Sequence, residues 1–239
     1  MTEIIQTPCG ETACNLFSYH SPASVFYLAG HRNTLQEHKG QLLEDLCQKN
    51  KISLTHWAYH GWDESKSKAV PPYGEGYIRD WLRQTLEVFD ALTNGPQVLV
   101  GYSMGGYLAL ALAVLRPEKI KGIIGLAPGF GADLCAQAEQ IYGSYDFLTL
   151  SGQGLTIRKI TSDNILKFNS PLPISCPLRL YHALNDPTVN WRNCIEISQN
   201  ASTSDVFVTF IKAEEKPHRL WEQKDIDWLE QNLRSLIRT

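Results

Sequence analysis

The stretch Gln97-Val-Leu-Val-Gly-Tyr-Ser-Met-Gly-Gly-Tyr-Leu-Ala-Leu-Ala-Leu112 passes from one apolar run into another with almost no linker. Gln97 to Gly101 reads as a strand, and Gly105 to Leu115 reads as a helix whose apolar run Tyr107 to Leu115 marks it as buried. Between them, Gly101-Tyr102-Ser103-Met104-Gly105 fits the pattern G-x-S-x-G. That pattern places a serine on a sharp, strained strand-to-helix turn, and its flanking positions are small because neighbouring backbone crowds them. Five letters can match by accident. A strand directly before and a helix directly after are what give the match meaning, because the new helix points its free N–H groups and positive end toward the serine, where an oxyanion would form.

Outward from this turn the chain alternates. Towards the N-terminus lie two short strands (3–7 and 13–18) around a turn at Cys9 to Glu11. The apolar run Val25-Phe-Tyr-Leu-Ala ending at Gly30 follows, then a helix from Glu37 to Asn50, a strand from Ile52 to Tyr59 and a loop from His60 to Gly76. In 77–92, Ile78, Trp81, Leu82, Leu86, Phe89 and Leu92 recur at helical spacing, and Asn94-Gly95-Pro96 ends that helix. Towards the C-terminus come strands at Ile120 to Leu126, Pro177 to His182 and Val206 to Ile211, with helices over Trp191 to Gln199 and Lys224 to Ile237. Strands that alternate with helices predict an α/β fold with a mostly parallel sheet and helices on both faces. Roughly 45 residues between the strand ending near Ala127 and the one starting at Pro177 exceed a simple crossover, which marks a lid or binding element. The expected organisation is a single domain over 1–239 with a small lid within it over 129–170.

Where G-x-S-x-G opens a helix on such a sheet, the catalytic order along the chain is nucleophile, acid, histidine. Ser103 is then the candidate nucleophile, and its base must lie C-terminal to it. His218, in Lys216-Pro-His-Arg219 between the last strand and last helix, is placed to swing over the sheet edge. His182, at a strand end, reads as a structural residue beside the acid loop. The acid is assigned to Asp186, in the turn Asn185-Asp-Pro187, with Asp133 after the preceding strand as rival. An aspartate at the start of a helix, as Asp133 is expected to be, also serves simply as a cap. The oxyanion donors expected are two backbone N–H groups, those of Met104 and His31.

Composition narrows the function classes. The chain has 239 residues, 43% hydrophobic and 20% charged, with a formal net charge of −3, the profile of an ordinary globular protein. Its 22 basic residues are scattered among 25 acidic ones, so no nucleic-acid-binding face is expected. The longest apolar run, Tyr107 to Leu115, is far short of the roughly 20 residues a membrane span needs. His56, His60 and Asp63 lie on a strand and loop rather than one helix face, so no metal site is expected. Trp57, Tyr59 and Trp62 around them read as packing. The six cysteines form no CxxC; Cys9 and Cys14 are the close pair, and reduced thiols are the expectation. No targeting segment is visible at Met1-Thr-Glu-Ile4, which places the protein in the cytoplasm. No cofactor is expected, the partner is a small-molecule or acyl substrate, and nothing in the sequence sets an oligomeric state.

These residues carry a family resemblance. The chain resembles the α/β-hydrolase domain-containing protein 10 group along nearly its whole length, most clearly in Gly95 to Gly106, in Arg116-Pro-Glu-Lys119, in Ser170 to His182, and at Asp186, Val189 and Trp191. The resemblance implies an α/β-hydrolase fold and a serine hydrolase of the thioesterase and acyl-glucuronide esterase class, with Ser103, Asp186 and His218 at the triad and His31 at the second oxyanion position. It also implies mitochondria, against which the N-terminus argues. Two departures stand out: His182-Ala183 where the group has His-Gly, and Pro217 where it has Asp before the catalytic histidine. The likeness is faintest over Phe130 to Asn169. Apolar residues there (Phe130, Leu134, Ile141, Phe147, Leu148) suit either an acyl pocket or packing of the lid. Rival functions on the same three residues are a C–C bond hydrolase or perhydrolase, and a non-catalytic ligand-binding homologue is the rival outside catalysis.

Overall fold

The computed structural model describes residues 2–30, 34–60, 68–69, 78–130, 145–151, 154–160 and 171–238. β1 (Thr2–Thr7) and β2 (Gly10–Phe17) open the chain as an antiparallel hairpin. β3 (Ser24–Leu28), α1 (His38–Asn50), β4 (Leu54–Trp57) and the two-residue β5 (Lys68–Ala69) follow. α2 (Ile78–Leu92), β6 (Gln97–Tyr102), α3 (Met104–Leu115) and β7 (Ile120–Leu126) form the middle of the chain. β8 (Tyr145–Ser151) and β9 (Gly154–Ile160) make a separate antiparallel hairpin, and β10 (Leu178–Ala183), α4 (Arg192–Asn200), β11 (Val206–Ile211) and α5 (Gln223–Arg238) complete the order.

The main sheet runs β1-β2-β4-β3-β6-β7-β10-β11, with β5 paired to β2. From β4 to β11 every pairing is parallel. This is the mostly parallel sheet that the alternation predicts. The chain leaving β3 crosses through α1 to β4 on one side, whereas the chain leaving β6 crosses through α3 to β7 on the other. Right-handed crossovers in opposite directions put α1 and α3 on opposite faces, and the reversal between β3 and β6 opens a crevice at their carboxyl ends. A ligand site is expected there.

Burial follows the sequence pattern. β4, β6 and β10 are buried at every position, and β7 at all but Lys121, as continuous apolar runs covered on both faces should be. β11, at the sheet edge, is only partly covered, and Phe207 is 62% exposed beneath the Arg179 guanidinium. α3 is buried from Met104 through Ala113. α1 starts where Glu37 accepts the Gly40 N–H, and it ends at Lys51 in a left-handed conformation. α5 buries Leu229, Leu233, Leu236 and Ile237, and Ile226 packs half-buried beside them, an apolar face at helical spacing.

Three details differ from expectation. Gly10, at φ 127°, turns the chain early, so pairing begins at Thr7 with Gly10 and the hairpin turn is Pro8-Cys9 rather than Cys9 to Glu11. β5 lies inside the segment expected as a plain loop. The hairpin β8-β9 lies inside the expected lid; the rest of 131–170, including Leu134, Ile141 and Asp133, falls outside the described residues. Cys9 and Cys14 are both buried and not joined by a disulfide.

Candidate active site

Ser103 follows β6 immediately and serves as the N-cap of α3, at φ 53° and ψ −118°. A non-glycine residue rarely occupies that region, and it stays there only when the surroundings over-determine it. They do so through backbone bonds on both sides. The Ser103 N–H donates to the Leu126 carbonyl (3.0 Å), while the Ser103 carbonyl accepts from Gly106 N–H (2.9 Å) and Gly129 N–H (2.8 Å). The small neighbours are equally required. A Cβ on Gly105 would overlap the Leu28 carbonyl, and one on Gly101 would stand 2.5 Å from the Gly105 oxygen. The crowding expected from the sequence pattern is thus physical contact between β3, β6 and α3.

The other candidate residues arrive from the same sheet edge. Asp186 follows β10, with its N–H donating to the Ala183 carbonyl (3.1 Å). His218 lies in the loop after β11. Asn185 ties the two loops together, donating to the Ala213 carbonyl (2.8 Å) and accepting the Ala213 N–H (3.0 Å). The loop bearing His218 is bent by two left-handed residues, Lys216 and Leu220, and the Tyr102 hydroxyl donates to the His218 carbonyl at 2.7 Å. The result is a line of contacts: Ser103 Oγ lies 3.2 Å from His218 Nε2, and His218 Nδ1 lies 2.7 Å from Asp186 Oδ2. Ser103 is 6% exposed. Low exposure limits competing water, and the helix N-terminus supplies partial positive charge beside its oxygen.

Asp186 is saturated with donors. Its Oδ1 accepts from the backbone N–H groups of Thr188 (2.7 Å) and Val189 (3.1 Å), and its Oδ2 faces both His218 and, at 3.3 Å, His182 Nε2. Burial alone would raise its pKa, yet the hydrogen bonds from His182, His218 and Thr188 hold the carboxyl well below the usual carboxylate range. Its role fits an acceptor that stays ionised.

Of the residues singled out by sequence, Ser103, His218 and Asp186 are brought together. Met104 contributes its backbone N–H to the first turn of α3, where helix geometry offers no intrahelical acceptor. His31 and Asp63 lie outside the described residues, as does Trp62. His56 pairs with Glu44 (2.7 Å), and His60 sits against Thr12 Oγ1 and the Glu11 carbonyl. Both are engaged in packing the sheet rather than facing Ser103. Trp57 and Tyr59 stack edge-on at 4.4 Å. Among the described residues no group of three His, Cys, Asp or Glu is arranged to hold a metal, and no helix is long and apolar enough to cross a membrane.

Two neighbours escape the sequence reading. Tyr102 occupies a variable position of the motif. Lys39 puts its ammonium 3.5 Å above the Tyr102 ring and 3.7 Å from Glu37, although only 11% of its side chain is exposed. Burial pushes its pKa down to about 8, with Glu37 opposing and Arg219 adding to the drop. A signal existed: a lysine in the first turn of a helix runs against the helix dipole, so it needs another reason to be there.

Comparison with known proteins agrees with this architecture. A family model described as the alpha/beta hydrolase fold matches residues 41–148. The human protein named palmitoyl-protein thioesterase ABHD10, mitochondrial, is 26% identical over 231 residues, covering 91% of this chain and 73% of its own. The mouse protein of the same name is 24% identical over 219 residues, covering 86% and 72%. Among solved structures, alpha/beta hydrolase domain-containing protein 10 from mouse superposes with a TM-score of 0.81 at 24% identity, covering 100% of this chain and 98% of the other. Est1E from Butyrivibrio proteoclasticus with ferulic acid bound reaches 0.72 at 14% identity, covering 99% and 100%. The expected cytoplasmic placement is overturned here. The curated relatives carry mitochondrial names, which point to mitochondria instead.

Proposed function

The chain has the α/β-hydrolase fold and resembles the α/β-hydrolase domain-containing protein 10 group; from that premise we propose that it is a serine hydrolase cleaving carboxylic esters or thioesters. The observation that carries the proposal is the contact line from Ser103 through His218 to Asp186, anchored on a strained turn.

In the proposed reaction Ser103 Oγ attacks the acyl carbonyl as its proton passes to His218 Nε2. Asp186 accepts the Nδ1–H throughout, which fixes the tautomer and stabilises the imidazolium. The oxyanion is bound by the Met104 N–H and by a second backbone donor after β3, for which His31 is the candidate. His218 then gives its proton to the departing alcohol or thiol, leaving an acyl-Ser103. Water, deprotonated by the same imidazole, releases the acid and restores the serine. Each step draws only on this chain's groups and water. We also propose that 1–239 acts as one domain, with the hairpin β8-β9 as part of a lid over 129–170 that sets the acyl preference.

Hydrolysis of p-nitrophenyl esters and acyl-thioesters of increasing chain length tests the reading. Turnover is expected to rise from acetyl to medium or long chains, in keeping with the thioesterase name of the relatives. A peak at acetyl would contradict a long-chain acyl substrate, and no turnover of any ester or thioester would contradict the activity itself.

A further inference from the structure

Asp186 also meets a second imidazole, that of His182, which the proposed reaction does not use. His182 is 0% exposed on β10. Its Nε2 stands 3.1 Å from the Val189 carbonyl and 3.3 Å from Asp186 Oδ2, and its Nδ1 faces Cys194 Sγ of α4 at 3.5 Å. Nε2 must carry a hydrogen, because a carbonyl and a carboxylate can only accept. In the neutral ring Nδ1 is then a lone pair, and the matching partner is a thiol that keeps its proton. Burial does push the Cys194 thiol upward, away from ionisation.

We infer that His182, oriented by Cys194, is a positioning residue that shares Asp186 Oδ2 with His218 and thereby sets the basicity of the histidine that activates Ser103. The inference rests on the serine-hydrolase reading above. Both imidazole N–H groups reach the same carboxylate oxygen, so each weakens the hold of the other. With His182 in place, part of the carboxylate charge is spent on it, and less remains to stabilise protonated His218. His182 also holds Val189, whose N–H in turn binds Asp186 Oδ1, so one ring fixes the carboxylate from two directions. The titratable groups on this carboxylate are His182 on β10 and His218 after β11; Tyr102 at the end of β6 binds the His218 carbonyl and feels the charges of Asp186, Glu37 and Arg219, and Cys194 on α4 faces His182.

The test compares His182→Leu with His182→Gln, whose amide nitrogen can take the place of Nε2. His182→Leu should lower kcat about tenfold with KM within about twofold, and should move the acid limb of kcat/KM up by about half a pH unit, since His218 then has Oδ2 to itself. His182→Gln should restore most of both. An unmoved limb in His182→Leu would overturn the inference, as would a His182→Gln no better than His182→Leu. Nitrogen NMR of the unmodified protein reads the same point without a variant: the Nε2–H tautomer of His182 is expected, and an Nδ1–H tautomer would refute the arrangement. Ser103→Ala separates the two layers. If it stays active, the serine-hydrolase reading fails and the inference with it; if it is dead while the His182→Leu limb stays put, only the inference fails.

Discussion

Ser103 sits at φ 53° because Leu126, Gly106 and Gly129 hold its backbone from both sides, and a strained non-glycine residue of this kind costs about 1–3 kcal/mol. Glycine would relieve that strain. Ser103→Gly should therefore raise stability by about 1 kcal/mol, or about 2–4 °C in Tm for a chain this long, while abolishing hydrolysis; thermal unfolding read beside an ester assay checks both. Asp186 behaves oppositely. Its folded-state pKa lies below the unfolded value, so its contribution is present above about pH 4 and is lost as pH falls through the folded value. Asp186→Asn should lower kcat by about 10⁴-fold, and its urea midpoint should fall less steeply than the parent's as pH drops below about 4. Lys39 has its pKa lowered to about 8, so stability should rise with pH from about 8 to about 10.4 as the unfolded chain holds the extra proton. Lys39→Met should remove that rise. At this scale the three candidate catalytic side chains are legible because chain order and spacing constrain them. Tyr102 is not, because its position in the motif is variable, and Lys39 shows only as a cation misplaced in a first helical turn; the contact between them joins the end of β6 to the start of α1, which no local pattern encodes.

Elements carry the geometry that those residues need. β3, β6 and α3 meet at Gly105, where a side chain would overlap the Leu28 carbonyl. Gly105→Ala should cost about 3 kcal/mol and displace the turn, seen as a lower denaturation midpoint together with slower fluorophosphonate labelling. The strands and helices around the turn are readable from sequence because buried parallel strands are continuous apolar runs and the flanking helices repeat at 3.6 residues. β5 is not, since two paired residues have no period to detect. Among the described residues β8 and β9 pair with each other and not with the main sheet, so their signal rests on short local alternation rather than on the core pattern that marks that sheet. The β1-β2 turn is misjudged by one or two residues because Gly10 permits an earlier reversal than cysteine would.

Across the whole molecule, the parallel strands are connected in opposite senses on either side of the β3–β6 pair, and all three candidate catalytic residues stand beyond the carboxyl ends of β6, β10 and β11. Residues 115 positions apart in the chain, Ser103 and His218, meet because parallel strands deliver every loop of that kind to one edge. The fold class was therefore visible in the order of elements, whereas cellular placement was not, because it depends on recognition by other machinery rather than on folding physics. The central claim is that Ser103 is the nucleophile. Its most direct test is intact and peptide mass spectrometry of the protein quenched during turnover of a p-nitrophenyl acyl ester. The account predicts one acyl group added, mapped to Ser103 and missing from Ser103→Ala, which should also lose turnover; an acyl group on another residue, or full turnover by Ser103→Ala, would contradict it.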